Sequence, residues 1–457
     1  MNEQILFDAI VLGGGPAGYS FAEKACKSGL KVALFEKNKL GGVCLNEGCI
    51  PSKCFLTSAK KYSESLNSTL FGVTSENVVY DQLIATEHKN KVVSELTMGV
   101  RGRLRKNKVK LIFSKGTIVS RSEECICVAD EEGNIYSAKN LVIATGSHNV
   151  FPNIEGLSEA YSDGRLITSS EVFDIAQKPE KVVIIGGGVI GIELACYFTK
   201  IGSKVSVIEA SDKIGGNFER ECSDVLLDNL SKKDGIEFFL STGAEKIVGN
   251  TVVCKSTENF TVEFDKVVLC VGRRANVDGF GLENTEVLLK NGSIFTDLHM
   301  RTSISGIYAI GDVNGKSMLA HTAYRESDIC LNSIMGIEDK MDYSCIPSVI
   351  YCFSEVAAVG MTEEEMQANA LKFSVLKLPL NYSGRFVAEN DGYKGLCKLI
   401  FDESDVLRGA FIVSPYASEI ILSLSNMIIS KTKKNQMNKF IYPHPTVGEI
   451  IKEIINS

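Results

Sequence analysis

FDAIVLGGGPAGYSFAEKACKSGLKVALFE, residues 7–36, decides the fold, because EKVVIIGGGVIGIELACYFTKIGSKVSVIE, residues 180–209, repeats its pattern. Each stretch runs from an apolar β-type segment through GxGxxG into a helical segment, then into a second β-type segment that ends on glutamate. The glycines are Gly13, Gly15 and Gly18 in the first copy and Gly186, Gly188 and Gly191 in the second. Glu36 follows Gly13 by 23 residues, and Glu209 follows Gly186 by 23. Glycines at this turn let the backbone approach a pyrophosphate, and the helix N-terminus supplies N–H groups and partial positive charge. The acid that ends the second strand suits a ribose hydroxyl. Both copies close alike, on NLVIATGS (140–147) and KVVLCVGR (266–273), each a short strand running into a glycine, Gly146 and Gly272. Two such units predict two dinucleotide sites.

From about residue 341 the texture changes. Short β-type runs (SVIYCF, AAVGM, FSVLKLPL, GLCKLIF, LRGAFIV) precede the helical stretches SEIILSLSNMIIS and VGEIIKEII, which reads as a separate α+β domain. At roughly 150 residues per domain, 457 residues suit about three domains. The predicted fold class is therefore α/β, with two Rossmann-like nucleotide-binding domains and a C-terminal α+β domain. The net charge is 49 − 56 = −7, a poor basis for holding nucleic acid or an anionic membrane, so neither is expected as a partner. The most apolar run, residues 182–198, contains four glycines and Glu193 and is too short and polar for a membrane span. The start, MNEQILFDAI, has no signal-peptide pattern. The expected location is the cytoplasm, where most of the 14 cysteines should be thiols and any disulfide is catalytic rather than structural. No metal site is expected.

LGGVCLNEGCIPSK, residues 40–53, is the segment with redox potential. Cys44 and Cys49 are five residues apart, which in a regular helix separates their Cα atoms by about 8.6 Å. A disulfide needs roughly 4.4–6.8 Å. If the two bond, the chain between them must leave regular helix, and Gly48 permits that. Pro51 suits a first helical turn, so a helix is predicted to begin near Cys49, where its N-terminus would favour a thiolate.

The order GGGPAG, GGVCLNEGCIPSK, ATGS, GGGVIGIELA, VGRR, YAIGDV, MLAH, HPTVGE resembles that of the pyridine nucleotide–disulfide oxidoreductases over essentially the whole chain. Within that family the chain is most similar to the branch that oxidises dihydrolipoamide. The resemblance implies an FAD site at the first fingerprint with Glu36, and an NAD site at the second with Glu209. An acid at 209 binds a free ribose 2′-hydroxyl and repels a 2′-phosphate. It implies that Asp312 meets the flavin's ribityl chain, that Ala320 in MLAH makes a backbone contact near the ring, and that Gly116 and Gly146 pass close to the cofactor. It implies a redox disulfide between Cys44, which exchanges with substrate, and Cys49, which faces the flavin. It implies a Lys53–Glu193 pair beside the ring, a cation there stabilising the reduced flavin. Domain boundaries follow: 1–148 with 272–340 for FAD, 149–271 for NAD and 341–457 for dimerisation.

Of five histidines, His444 stands in YPHPTVGE with Glu449 five residues on. A histidine near neutrality can take a thiol proton, and a carboxylate behind it fixes the tautomer. The resemblance supplies this base from the partner subunit, so a symmetric homodimer is implied. The further partner implied is a lipoylated protein of a 2-oxoacid dehydrogenase or glycine cleavage complex. Gly448, Ser354 and SPYASE (414–419) depart from the family's usual residues. The rival readings are reduction of another disulfide or of mercuric ion, and a docking role with little turnover. Glu209 argues against an NADP-linked glutathione reductase, and no C-terminal cysteine pair follows Cys397 as a mercuric type would require.

Overall fold

The first quoted stretch folds as a parallel βαβ unit in a computed structural model that describes residues 6–457. β1 (Leu6–Leu12) runs through the glycine turn into α1 (Pro16–Lys27), and β2 (Val32–Phe35) returns parallel to β1 with Ala9 opposite Val32 and Leu12 opposite Phe35. Proline at the first helical position costs α1 nothing, because that N–H has no intrahelical partner anyway. All four residues of β2 are buried, as a strand covered on both faces requires. β3 (Lys110–Ile112) pairs outside β2. β4 (Thr117–Arg121), β5 (Ile126–Ala129) and β6 (Ile135–Ile143) form an antiparallel meander whose last strand lies parallel to β1, and Ile307–Ala309 pairs with β6. Ile10, Leu12, Phe35, Ile118, Leu141, Ile143 and Ile307 share this unit's core. The unit comprises the described part of Met1–Pro51 with Glu87–Val150 and Gly272–Asp342.

The second unit comprises Ser52–Thr86, Phe151–Val271 and Tyr343–Ser457. Its five-stranded parallel sheet has the order 237–239, 204–208, 181–185, 266–269, 166–168, with the helix Val189–Lys200 following the second glycine turn. The antiparallel strands Gly243–Val248, Thr251–Lys255 and Asn259–Glu263 make its meander. The C-terminal part is a five-stranded antiparallel sheet in the order 348–350, 356–360, 407–413, 396–402, 373–379. Alternation along its strands serves two cores. Leu399 and Phe401 pack with Ile421, Leu424, Ile450 and Ile454 of the helices Ala417–Ile429 and Ile450–Asn456. Ile400, Phe411 and Val413 pack with Val182, Ile184 and Ile192 of the nucleotide fold. Among the described residues, no helix is long and apolar enough to cross a membrane.

The third glycine of each fingerprint is fixed by packing. A Cβ on Gly18 would overlap the Gly13 carbonyl oxygen, and one on Gly191 the Gly186 carbonyl oxygen. Helix and strand can cross this closely only where neither bears a side chain. Gly191→Ala is expected to cost at least about 2 kcal/mol, because the obstacle is backbone that cannot rotate away. Gly188→Ala, with nothing within 4 Å of its Cβ and an ordinary negative φ, should leave stability unchanged. Thermal unfolding of the two variants side by side checks this.

Candidate active site

The chain between Cys44 and Cys49 does leave regular helix. α2 (Gly42–Asn46) ends, Glu47 and Gly48 intervene, and α3 (Cys49–Asn67) begins at the second cysteine. A Cβ on Gly48 would stand 3.3 Å from the Val43 carbonyl oxygen and 3.7 Å from Cys44 Cα, so the backbone folds back onto the preceding turn. Cys44 is partly buried and Cys49 is exposed. The N-terminus of α3 lies at Cys49, which places partial positive charge beside that sulfur.

The two fingerprints are built alike. Gly15 and Gly188 are the N-caps of their helices and neither helix has a side-chain cap, so the first-turn N–H groups face outward uncovered by the chain's own capping groups. Glu36 accepts from the Gly14 N–H at 2.8 Å through Oε2 and from the Asn38 N–H at 2.7 Å through Oε1. Glu209 does the same with Gly187 at 2.5 Å and with Ser211, through both N–H and hydroxyl, at 2.7 and 2.6 Å. Each carboxylate thereby ties the glycine turn to the end of the second strand and keeps lone pairs for a ribose. The uncapped helix starts and the open space above Gly188 fit a dinucleotide's pyrophosphate and adjoining ribose.

The remaining predicted positions fall as follows. Gly146 and Gly272 adopt positive φ (73° and 106°) just past their strands, with open space where a Cβ would be. Gly116 is pressed against Leu12 and Phe35, its Cβ position 2.6 Å from Leu12 Cδ2, so packing alone requires glycine there. Asp312 sits in the turn Gly311–Asn314, and Ala320 opens the helix Ala320–Ile334. Asp312 accepts from the Ser147 hydroxyl at 2.5 Å, and Ser147 Oγ accepts from Arg273 Nε at 2.8 Å. Burial holds the Arg273 guanidinium below its ordinary range, with Asp312 opposing. Ser147 and Arg273 were not among the predicted site residues. The signal available was the arginine directly after Gly272 in VGRR.

In the second unit Lys53 Nζ bonds both oxygens of Glu193, at 2.9 and 3.1 Å. Glu193 is 7% exposed, and burial pushes its carboxyl up against the pull of Lys53. Tyr351 completes the arrangement, donating its N–H to Glu193 Oε1 at 3.1 Å while its ring lies 3.9 Å from the Lys53 ammonium. No spacing in the sequence pointed to Tyr351. The pair His444–Glu449 is local: Nδ1 lies 2.9 Å from Glu449 Oε2, the imidazole side chain is 80% exposed and the carboxylate side chain 12%. A carboxylate only accepts, so the neutral ring must present Nδ1–H to it and keep its lone pair on Nε2, toward solvent.

Cysteines at a helix start, two dinucleotide turns, a lysine paired with a buried carboxylate and an exposed histidine held by an acid are the parts of an oxidoreductase that works on sulfur. Residues 7–327 match the family model described as pyridine nucleotide-disulphide oxidoreductase, and residues 346–455 match that family's dimerisation domain. The chain belongs to this family. It is 35% identical over 458 residues to a dihydrolipoyl dehydrogenase of Chlamydia muridarum, covering 99% of this chain and 96% of that one. It is 36% identical over 454 residues to a dihydrolipoyl dehydrogenase of Geobacillus stearothermophilus, covering 98% and 95%. Among solved structures it is similar to LpdA from Mycobacterium tuberculosis, with a TM-score of 0.88, 23% identity and 98% of each chain covered. It is likewise similar to the HOCl-induced flavoprotein disulfide reductase RclA from Escherichia coli, with a TM-score of 0.86, 23% identity, and 98% and 99% covered.

Proposed function

We propose that this chain oxidises protein-bound dihydrolipoamide to lipoamide and passes the electron pair to NAD. The observation that carries the reading is the His444–Glu449 pair. An imidazole 80% exposed contributes little to a core, yet its ring is held by a carboxylate in the orientation a thiol base needs. His444 takes a proton from one substrate thiol at Nε2. The thiolate formed attacks Cys44 of a Cys44–Cys49 disulfide, giving a mixed disulfide and releasing Cys49 as thiolate. The second substrate thiol displaces Cys44 and leaves within the lipoamide disulfide, so two electrons and both sulfurs are accounted for. Bound FAD and NAD supply the acceptance of this electron pair and its delivery as hydride. Gly13, Gly15, Gly18, Glu36, Gly116, Gly146, Asp312 and Ala320 would hold FAD, and Gly186, Gly188, Gly191, Glu209 and Gly272 would hold NAD. Lys53, kept in place by Glu193, holds positive charge where negative charge develops.

The domains proposed are 1–148 with 272–340 for FAD, 149–271 for NAD and 341–457 for dimerisation. The active form is a homodimer in which His444 serves the cysteine pair of the other copy. The matched dimerisation domain supports this, as do the exposed apolar side chains Leu422, Ile429 and Ile441 on the C-terminal part. The protein partner is a lipoylated component of a 2-oxoacid dehydrogenase or glycine cleavage complex, in a reducing cytoplasm. Steady-state assay with free dihydrolipoamide and NAD should give turnover, whereas turnover only with NADPH and glutathione disulfide would overturn the reading. Removing the charge in Glu209→Gln is expected to narrow the preference for NAD over NADP by about tenfold, the scale of one lost charge repulsion of about 1.4 kcal/mol. Comparing kcat/KM for the two coenzymes measures it.

A further inference from the structure

Most cysteines outside the 40–53 segment are removed from chemistry by their surroundings. Burial pushes the Cys254 thiol up to about 11 and those of Cys270 and Cys397 up to about 12, and it raises Cys26, Cys222 and Cys330 as well. Such thiols stay protonated and unreactive at neutral pH. Cys127 is partly exposed instead, and a second partly exposed cysteine, Cys125, stands two residues before it.

The geometry around it is a built one. Ile126 and Val128 of β5 point into the core of the first unit. Cys125 directly precedes β5, at the hairpin closed by the Ser122 N–H to Cys125 carbonyl bond, so continuing the alternation puts Cys125 and Cys127 on the opposite face, where both are partly exposed. Cys127 is in register with Ser120 on β4 and with Ser137 on β6, so three small polar side chains form a row across the meander. Ser137 Oγ lies 3.4 Å from Cys127 Sγ, and Ser122 Oγ lies 3.7 Å from Cys125 Sγ. Glu123 and Glu124 precede the pair and are exposed, which adds negative potential for a cation.

A disulfide is a poor use of this pair. Residues two apart on a strand have Cα atoms about 6.4–6.8 Å apart, at the upper limit of disulfide geometry. Closing the bond would pull Ile126 out of the core and break the ladder on both sides. A metal ion bridging two sulfurs needs no such contraction. Among the described residues, the one set of three or more metal-type ligands is Glu219, Glu221 and Glu363, and Lys398, 1% exposed, already donates to Glu219 and Glu221 at 2.6 and 2.9 Å. Among the described residues no histidine or carboxylate joins Cys125 and Cys127 as a third ligand, which disfavours zinc. Two thiolates backed by hydroxyls suit a soft, low-coordinate cation.

We propose that Cys125 and Cys127 form a two-thiolate site for a soft monovalent metal ion of the Cu(I) class, on the face of the meander away from the core. Binding forms two metal–sulfur bonds and releases the thiol protons, with no change in oxidation state of either sulfur. The site is separate from the 40–53 cysteines and does not depend on the proposed reaction.

Anaerobic competition between the resting, flavin-loaded protein and the chromogenic Cu(I) chelator bicinchoninate tests it. Cys125→Ser and Cys127→Ser should each withhold one Cu(I) equivalent fewer than the parent, with dihydrolipoamide turnover unchanged. Equal stoichiometry in parent and both variants would overturn the proposal. Should either variant unfold, the unsubstituted protein still decides it. One equivalent of Cu(I) should slow iodoacetamide labelling of Cys125 and Cys127 at least tenfold by peptide mapping, and undiminished labelling of both would contradict the site.

Discussion

Cys44→Ser and Cys49→Ser are each expected to abolish dihydrolipoamide-dependent NAD reduction, by at least about a thousandfold, while the protein keeps its bound flavin. The size of the effect follows from the chemistry: a serine hydroxyl neither accepts a sulfur nucleophile nor forms a mixed disulfide, and loss of a covalent-exchange residue leaves only the background rate. Flavin retention follows from position. Cys44 lies on the short helix α2 and Cys49 at the exposed start of α3, and neither belongs to the core of the first unit. Sulfur-to-oxygen exchange there changes volume little. Turnover measured beside the visible flavin spectrum separates the outcomes. Activity within tenfold of the parent would contradict the cysteine route, and loss of flavin would mean these residues build the cofactor site rather than perform exchange.

His444→Ala should lower kcat for dihydrolipoamide by about 10²–10⁴, the range for removing a positioned general base. The loss should be confined to steps that need a thiol proton. Oxidation of NADH by an artificial electron acceptor requires none and is expected to continue at the parent rate. Glu449→Gln should share the defect at lower cost, about tenfold or more, since an amide can donate to Nδ1 and turn the ring's lone pair away from the substrate. Stability should barely change for His444→Ala, because the ring is exposed. If both half-reactions fell together, the histidine would be supporting the fold instead.

The parts of the fold that could be read beforehand are those encoded within about 30 residues. The two glycine turns, their acids Glu36 and Glu209, the helix start at Cys49 and the His444–Glu449 contact are all local. Backbone geometry links each to its neighbours without help from the rest of the chain. The rest is joined across long sequence separations. Lys53 meets Glu193 140 residues away, and this pair was reachable only through resemblance to a family. Ser147 meets Asp312 at a separation of 165 and Arg273 at 126, and Tyr351 meets Glu193 at 158. No periodicity carries such contacts, since they arise when helices, strands and turns far apart in sequence pack against one another. Gly116 illustrates the converse. It reads as a cofactor-loop glycine, yet its contacts with Leu12 and Phe35 already demand a residue without a Cβ. The cysteines divide by the same rule. Burial, a tertiary property, silences Cys222, Cys254, Cys330 and Cys397, while register across three strands sets Cys127 apart.

The central claim is that electrons leave the substrate through Cys44 and Cys49. Its most direct test is differential alkylation with peptide mapping, before and after one equivalent of dihydrolipoamide is added anaerobically without NAD. Cys44 and Cys49 are expected to resist labelling in the resting protein, and Cys44 to become labelled after the addition, with lipoamide formed in equal amount. Labelling of both before the addition, or lipoamide formed with no change at either cysteine, would contradict it.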